Sequence, residues 1–310
     1  MRFKKLDLNL LVALDHLLNL QSISRAAEQM NMSQSAMSNA LTRLRAYFDD
    51  PLLVQVGRRM ELTPRAQAMQ HSIRDILVRV EATISSDVEF DPRNSTREFR
   101  ILLSDYSMTA FMPRVLALAA REEAQVRFNL LPQTEIPYLT IERGDADLLI
   151  APGMFISKEH PSELVYEDDF VCVAWSEGRY GSAPLTEADY RRARHVRMYP
   201  PTVPTSFENG FLAEHGIERD IDVYCYSFAV LPHLVVGSDR LATVHGLIGR
   251  AAIHGLPVTV HPLPFSAPLL DQHVQWHEHK KQDPGIKWLR GLMRRAAADL
   301  PVPRSNRAGQ

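Results

Sequence analysis

Residues 33–45 carry Ser33, Gln34, Ser35, Ser38, Asn39 and Thr42, closed by Arg43 and Arg45. Small hydroxyl and amide groups in one short run suit hydrogen bonds to base edges in a DNA major groove, and arginines suit phosphates. Met37, Leu41, Leu44 and Phe48 alternate with them at helical spacing. Burying that stripe turns Ser35, Ser38, Asn39 and Thr42 outward, with Gln34 at the helix start. A second basic pair, Arg58 and Arg59, follows Gly57 between two short apolar runs, where it would meet the backbone of the same duplex.

A different chemistry gathers further along. Ser104, Asp105, Tyr106 and Ser107 stand where a predicted strand meets a helix. Free N–H groups at such a helix start favour an anion or an electronegative oxygen. Tyr199, Thr205, Phe207, Phe228 and His245 stand at or just beyond the ends of later predicted strands. Hydroxyls beside aromatic rings suit a flat phenolic ligand: rings stack and hydroxyls orient. Other chemistries lack their patterns. His273, His277 and His279 are close but have no His-Glu-x-x-His spacing, and Cys172 and Cys225 have no zinc spacing. No Gly-x-Ser-x-Gly elbow and no Gly-rich phosphate loop occur. No catalytic residue, metal or cofactor is expected.

The elements that must hold these residues read as follows. Helices are expected at 7–20, with Leu10, Leu14, Leu17 and Leu18 on one face, at 24–30, and from Ser33 as N-cap. Two short helices joined by about three residues are a helix-turn-helix. Asp49-Asp50-Pro51 stops the third helix, and residues 52–62 form a hairpin with a basic tip, the wing of a winged helix. Thr63-Pro64 restarts a helix whose stripe of Met69, Ile73, Ile76, Val80 and Ile84 suits pairing with a second chain. From Arg97 strands and helices alternate in two sets, predicting mostly parallel α/β sheets in two lobes. One helix is expected over 108–122 and another over 228–236. The prolines at 262, 264 and 268 mark a return to the first lobe, completed by a strand at 271–277 and a helix at 285–298. The last ten residues read as a disordered tail.

Composition agrees with this. Apolar residues are 45% and charged residues 23% of 310, which excludes a fibre or a disordered chain. The net charge of −2 excludes a uniformly basic coat protein. Residues 1–62 hold eight Lys/Arg against six Asp/Glu, so one copy would bind DNA weakly and a dimer better. No apolar run is long enough for a membrane helix and no secretory segment is recognisable, so a cytoplasmic protein is expected.

Leu8-Asn9-Leu10-Leu11, Ser24-Arg25-Ala26-Ala27, the run from Ser33 to Ser38, Leu44-Arg45, Asp50-Pro51-Leu52 and Leu62-Thr63-Pro64 stand in the order and spacing of LysR-type transcriptional regulators. The chain resembles that family throughout. It is most similar to the aromatic-responsive NodD/NahR/LinR-type subgroup through Met1-Arg2-Phe3-Lys4, the run from Phe99 to Tyr106, Val274-Gln275-Trp276 and Asp283-Pro284. The resemblance implies an α/β chain with an N-terminal winged helix-turn-helix (1–62), a dimerisation linker helix (63–90) and a two-lobed periplasmic-binding-protein-like effector domain (97–300). Its first lobe spans 97–166 and 268–300, its second 167–267. The resemblance also implies promoter DNA as partner, a small aromatic inducer, homodimers or homotetramers, RNA polymerase contact and activation. Ser104 matches the family's effector position. There are two departures. The family usually has Pro where Ser35 stands, and salicylate-type members carry Pro-x-Arg where this chain has His245-Gly246-Leu247. Without that arginine a small carboxylate loses its obvious partner, which favours a neutral phenol or flavonoid. The alternatives are a two-lobed enzyme or solute-binding module with an accessory helical domain, and a regulator without an inducer.

Overall fold

A computed structural model describes residues 6–84, 89–199 and 207–301. Thr205, the Met1–Lys4 motif, the end of the expected linker at 85–88 and the tail from 302 lie outside the described residues. The chain divides into two compact units, one up to Asp87 and one from Val88 onward, with the stretch Glu142–Gly144 grouping with the first.

The first unit runs α1 (Leu8–Leu20), α2 (Ile23–Gln29), α3 (Gln34–Phe48), β1 (Leu53–Val56), β2 (Arg59–Leu62) and α4 (Pro64–Ile84). Asp7, Ser22 and Ser33 cap the first three helices, each side chain accepting an otherwise unpaired N–H. The α1 leucines 10, 14, 17 and 18 meet Ala26, Ala27, Met37, Leu41 and Leu44 in one core. Ile23, Met30 and Phe48 are only partly buried against it. The turn out of α3 forces Leu52 into a left-handed backbone, φ 59°. Asp50 holds it there, accepting from the Leu52 N–H at 2.7 Å and the Thr63 hydroxyl at 2.7 Å. These bonds, Thr63's first, hold the Asp50 carboxyl below its ordinary range. Thr63 also accepts from the Ala66 N–H, so one hydroxyl ties the wing to the start of α4. The wing turns through Gly57 at φ 63°, with Val56 opposite Arg59.

The stripe expected on α4 divides. Ala66 and Ile73 are buried, and Met69 and Leu77 pack beside them against the unit's own core. Ile76 and Ile84 stand 44% and 74% exposed. Helical spacing alone could not separate a face that closes on its own unit from one left open. Asp15, buried on α1, pairs with Arg74 of α4 at 2.6 Å.

The second unit contains β3 (Glu98–Leu103), α5 (Asp105–Ala110), α6 (Met112–Arg121), β4 (Arg127–Pro132), α7 (Pro137–Glu142), β5 (Leu148–Pro152) and β6 (Ser162–Asp168). It continues with β7 (Phe170–Trp175), α8 (Glu187–Arg192), β8 (Arg194–Met198), α9 (Phe207–Glu214), β9 (Asp220–Cys225), α10 (Leu231–Val235), β10 (Leu241–His245), α11 (Gly246–Ala252) and β11 (Val258–Pro262). β12 (Leu270–Gln275) and α12 (Pro284–Ala298) close it. One five-stranded sheet has the order β4-β3-β5-β12-β6 and the other β11-β7-β10-β8-β9. The chain leaves the first sheet through Asp168–Asp169 and returns to it at β12, so two crossovers join two lobes.

The sheets are mixed rather than mostly parallel. In the first, β3 pairs parallel with β4 and β5, but β12 runs antiparallel to both β5 and β6. In the second, β7 runs antiparallel to β10 and β11. Each of the two strands reached by a crossover, β7 and β12, runs antiparallel to the strands it pairs with. β6, α8 and α11 had no counterpart in the sequence pattern. The helix expected over 108–122 is two: Pro113 cannot donate into a continuing helix, and the chain breaks at Phe111. The helix expected over 228–236 is only the five residues of α10. β3 and β5 are buried on both faces, Ile101, Leu103, Leu148 and Ile150 toward α6 and α12, Leu102, Leu149 and Ala151 toward Ile141. Each large α12 side chain in that core contributes about 1.5–3 kcal/mol of burial.

Candidate functional site

The nucleic-acid face was expected on α3, and its side chains sort into two groups. Ser33 caps the helix, accepting from the Ala36 N–H at 3.2 Å, and shares a hydrogen bond with Ser35 at 3.0 Å. Thr42 donates to the Ser38 carbonyl at 3.0 Å. Arg43 pairs with Asp7 at 3.3 Å, both well exposed, a contact worth little in water. Arg45, expected at a phosphate, also has a place inside the unit. Its guanidinium donates to the Pro51 and Leu53 carbonyls at 2.8 Å each and holds the entry to the wing. Gln34, Ser38 and Asn39 remain exposed, with no side-chain hydrogen bond among the described residues. Arg58 and Arg59, at the wing turn, are exposed too.

The second candidate site lies where α5 of one lobe meets α11, the end of β10 and the segment before α10 of the other. Ser104 caps α5, accepting from the Ser107 N–H at 3.2 Å. The helix has only six residues and this hydroxyl covers its start, which leaves little of the anion site expected there. Asp105 reaches across the lobes: its Oδ2 accepts from the Ser227 hydroxyl at 2.7 Å and the Ala229 N–H at 3.1 Å. Tyr106 and Ser107 are fully buried rather than facing a ligand. Tyr106 donates to Asp168 at 2.7 Å and stacks on His245 with ring centres 4.0 Å apart. Phe228 meets the same imidazole edge-on at 4.6 Å. Phe207 stacks on Phe170, which in turn touches His245 at 5.1 Å. Tyr106, Phe207, Phe228 and His245 thus form one aromatic cluster joining both lobes. Tyr199 does not join it: its ring stands half exposed, edge-on to Tyr224. A cavity of about 330 Å³ in the second lobe, lined by Arg197, Asn209 and Arg219 among others, contains none of the expected ligand residues.

Beneath the cluster lies a charged knot that sequence reasoning missed. Asp168 accepts from Tyr106, from the Leu247 N–H at 3.1 Å and from Arg250 at 3.2 Å. Arg250 also grips Asp169 at 2.6 and 3.1 Å. A side chain at Gly246 would collide with Asp169 and Arg250, so the close approach needs glycine there. Burial pushes the Asp168 carboxyl up to about 7, against the bonds from Tyr106 and Leu247. Burial likewise raises the Tyr106 phenol and lowers His245 to about 3, so this imidazole stays neutral. His245 Nδ1 is buried without a partner among the described residues. The available signal was the Asp168-Asp169 pair between two apolar runs at a lobe crossover. No group of three or more His, Cys, Asp or Glu side chains suits a metal among the described residues.

Known proteins agree with this geometry. Residues 8–67 match the family model described as bacterial regulatory helix-turn-helix protein, lysR family, and residues 92–298 match the LysR substrate binding domain. The chain is 37% identical to nodulation protein D 1 of Mesorhizobium japonicum over 98% of its length and 97% of that protein's. It is 38% identical to nodulation protein D 2 of Sinorhizobium fredii, covering 99% and 98%. Its fold is similar to that of ArgP from Mycobacterium tuberculosis, with a TM-score of 0.69 at 14% identity over 96% and 100% of the two chains.

Proposed function

Since the chain belongs to the LysR family of transcriptional regulators and is not an enzyme, we propose that it is an activator whose α3 reads an operator and whose lobes hold a neutral, phenolic or flavonoid-type aromatic. The observation that carries the DNA part is the open face of Gln34, Ser38 and Asn39, in the same unit as the exposed Arg58 and Arg59. Unengaged donors and acceptors on a rigid helix can meet base edges without first breaking internal bonds.

The same proposal covers the division into a DNA-binding segment to residue 62, a linker helix and an effector domain from 97. The exposed Ile76 and Ile84 on α4 suit a second copy, which would set two recognition helices about one helical turn of DNA apart. A dimer or tetramer, acting beside RNA polymerase in the cytoplasm, is the assembly this implies. No described helix is long and apolar enough to cross a membrane.

Inducer chemistry follows from the cleft. His245 is neutral, an aromatic cluster lines the junction, and no arginine stands at 247 to pair a carboxylate. Ser104, Phe207, Phe228 and His245 are the proposed contacts, with Thr205 retained from the sequence pattern. The test is a salt-dependent gel shift on the chain's own upstream region, with thermal-shift titrations against flavonoids, hydroquinones and benzoates. Loss of the shift in Ser38→Ala with weak, non-specific binding kept supports the recognition face. A flat thermal panel would reduce the proposal to a regulator without an aromatic inducer.

A further inference from the structure

Asp105 is a polar group of the cleft that bonds from one lobe to the other. Its two oxygens are used unequally. Oδ2 takes both bonds from the second lobe, the Ser227 hydroxyl and the Ala229 N–H. Among the described residues, Oδ1 takes no hydrogen bond and the carboxylate has no ion pair. The side chain is only partly buried, so this oxygen can meet a ligand. Its second-lobe partners Ser227 and Ala229 bracket Phe228, whose ring meets His245 edge-on.

Resting on the aromatic-inducer reading above, we infer that Asp105 Oδ1 accepts a phenolic O–H of the ligand, so that Asp105 selects hydroxylated aromatics and rejects aromatic carboxylates. An ionised carboxylate has only acceptors to offer. A phenol brings the donor it lacks, in a charge-assisted bond stronger than a neutral one. A benzoate brings a second acceptor and a like charge to the same point, and two carboxylates at one site disfavour each other's ionisation. The lobe-two donors that could have received the benzoate already hold Oδ2. Asp105 therefore has two roles in one side chain: it latches the lobes through one oxygen and filters ligands with the other.

The decisive variant is Asp105→Asn in the full-length chain. An asparagine oxygen can still accept from Ser227 and Ala229, while its NH2 turns a donor toward the ligand. Isothermal titration with hydroquinone, hydroquinone dimethyl ether and benzoate, and with a hydroxylated flavanone and its methyl ether, reads the preference. The parent should bind at least one hydroxylated probe tenfold or more tighter than its ether or benzoate. Asp105→Asn should lose tenfold or more for that probe and gain for benzoate. Ser227→Ala, which keeps the carboxylate, should keep the preference, and its near-ultraviolet circular dichroism checks the fold beside Asp105→Asn. Hydroxylated binding unchanged in Asp105→Asn overturns the filter alone, as does a parent that binds ethers or benzoate equally well. Flat titrations of the parent with every probe overturn the aromatic-inducer reading itself, and the filter with it.

Discussion

α3 and α5 begin alike and end differently. Each opens on a serine whose hydroxyl accepts the N–H three residues on, Ser33 from Ala36 and Ser104 from Ser107, both at 3.2 Å. After Ser33, the side chains of Gln34, Ser38 and Asn39 stay exposed and bond to nothing around them among the described residues. After Ser104 the next three side chains are drawn into tertiary contacts: Asp105 to Ser227, Tyr106 to Asp168, Ser107 into the core. One face is ready before its partner arrives. The other holds most of its polar groups in internal bonds; on the reading proposed above, a ligand there would share or displace them and so shift the balance between lobe arrangements. A reader of DNA needs rigid, free donors, whereas a sensor needs bonds that can be exchanged.

The comparison can be broken most heavily on the apolar side of α3. Leu44 is fully buried, and Leu44→Ala should destabilise the first unit by about 2–5 kcal/mol, measured as the loss of its transition in chemical unfolding. If DNA binding and stability both survive, the stripe does not position the face. The face itself comes next. Asn39→Ala or Ser38→Ala should each weaken specific operator binding by about 1–3 kcal/mol while leaving binding to unrelated DNA intact, in gel shifts at matched salt. Equal losses on both DNAs would mean that these side chains meet phosphates instead.

The wing should behave in the opposite way. Arg58→Ala and Arg59→Ala should weaken binding to every sequence, and each should flatten the logarithmic salt dependence by about 0.9 for every phosphate left unneutralised. A loss confined to one operator would reassign them to base reading. The smallest effect belongs to the knot under the cleft. Asp168 is pushed up to about 7, so the folded unit keeps a proton that the unfolded chain releases near pH 4. That contribution is complete below about pH 4 and fades as pH rises through about 7. The second unit's thermal midpoint should fall over that window by a few degrees, and Asp168→Asn should remove the slope. An unchanged pH profile in Asp168→Asn would place the proton elsewhere.

Much of the first unit was legible because its information is local. Helix caps, the stop at Pro51, the restart at Pro64, the Gly57 turn and the apolar stripe of α3 act within a few residues of themselves, and the structure has them where the pattern put them. The second unit was legible as α/β, but less so in detail. β6 was missed because its apolar residues, Leu164, Val165 and Tyr166, are consecutive between acidic neighbours and show no alternation in the sequence. The direction of β12 and β7 depends on crossovers that no periodicity records. Arg45 looked like a phosphate ligand by type, and only the path of the chain through Pro51 and Leu53 shows what its donors hold.

From its residues alone the chain settles its secondary structure in the first unit, its family and the polar character of α3, since each depends on neighbours in sequence. Tertiary structure decided which polar side chains stay available. Asp105, Tyr106 and Asp168 meet partners 122, 62 and 79 positions away, and a bond between such distant residues exists only once the sheets have brought them together.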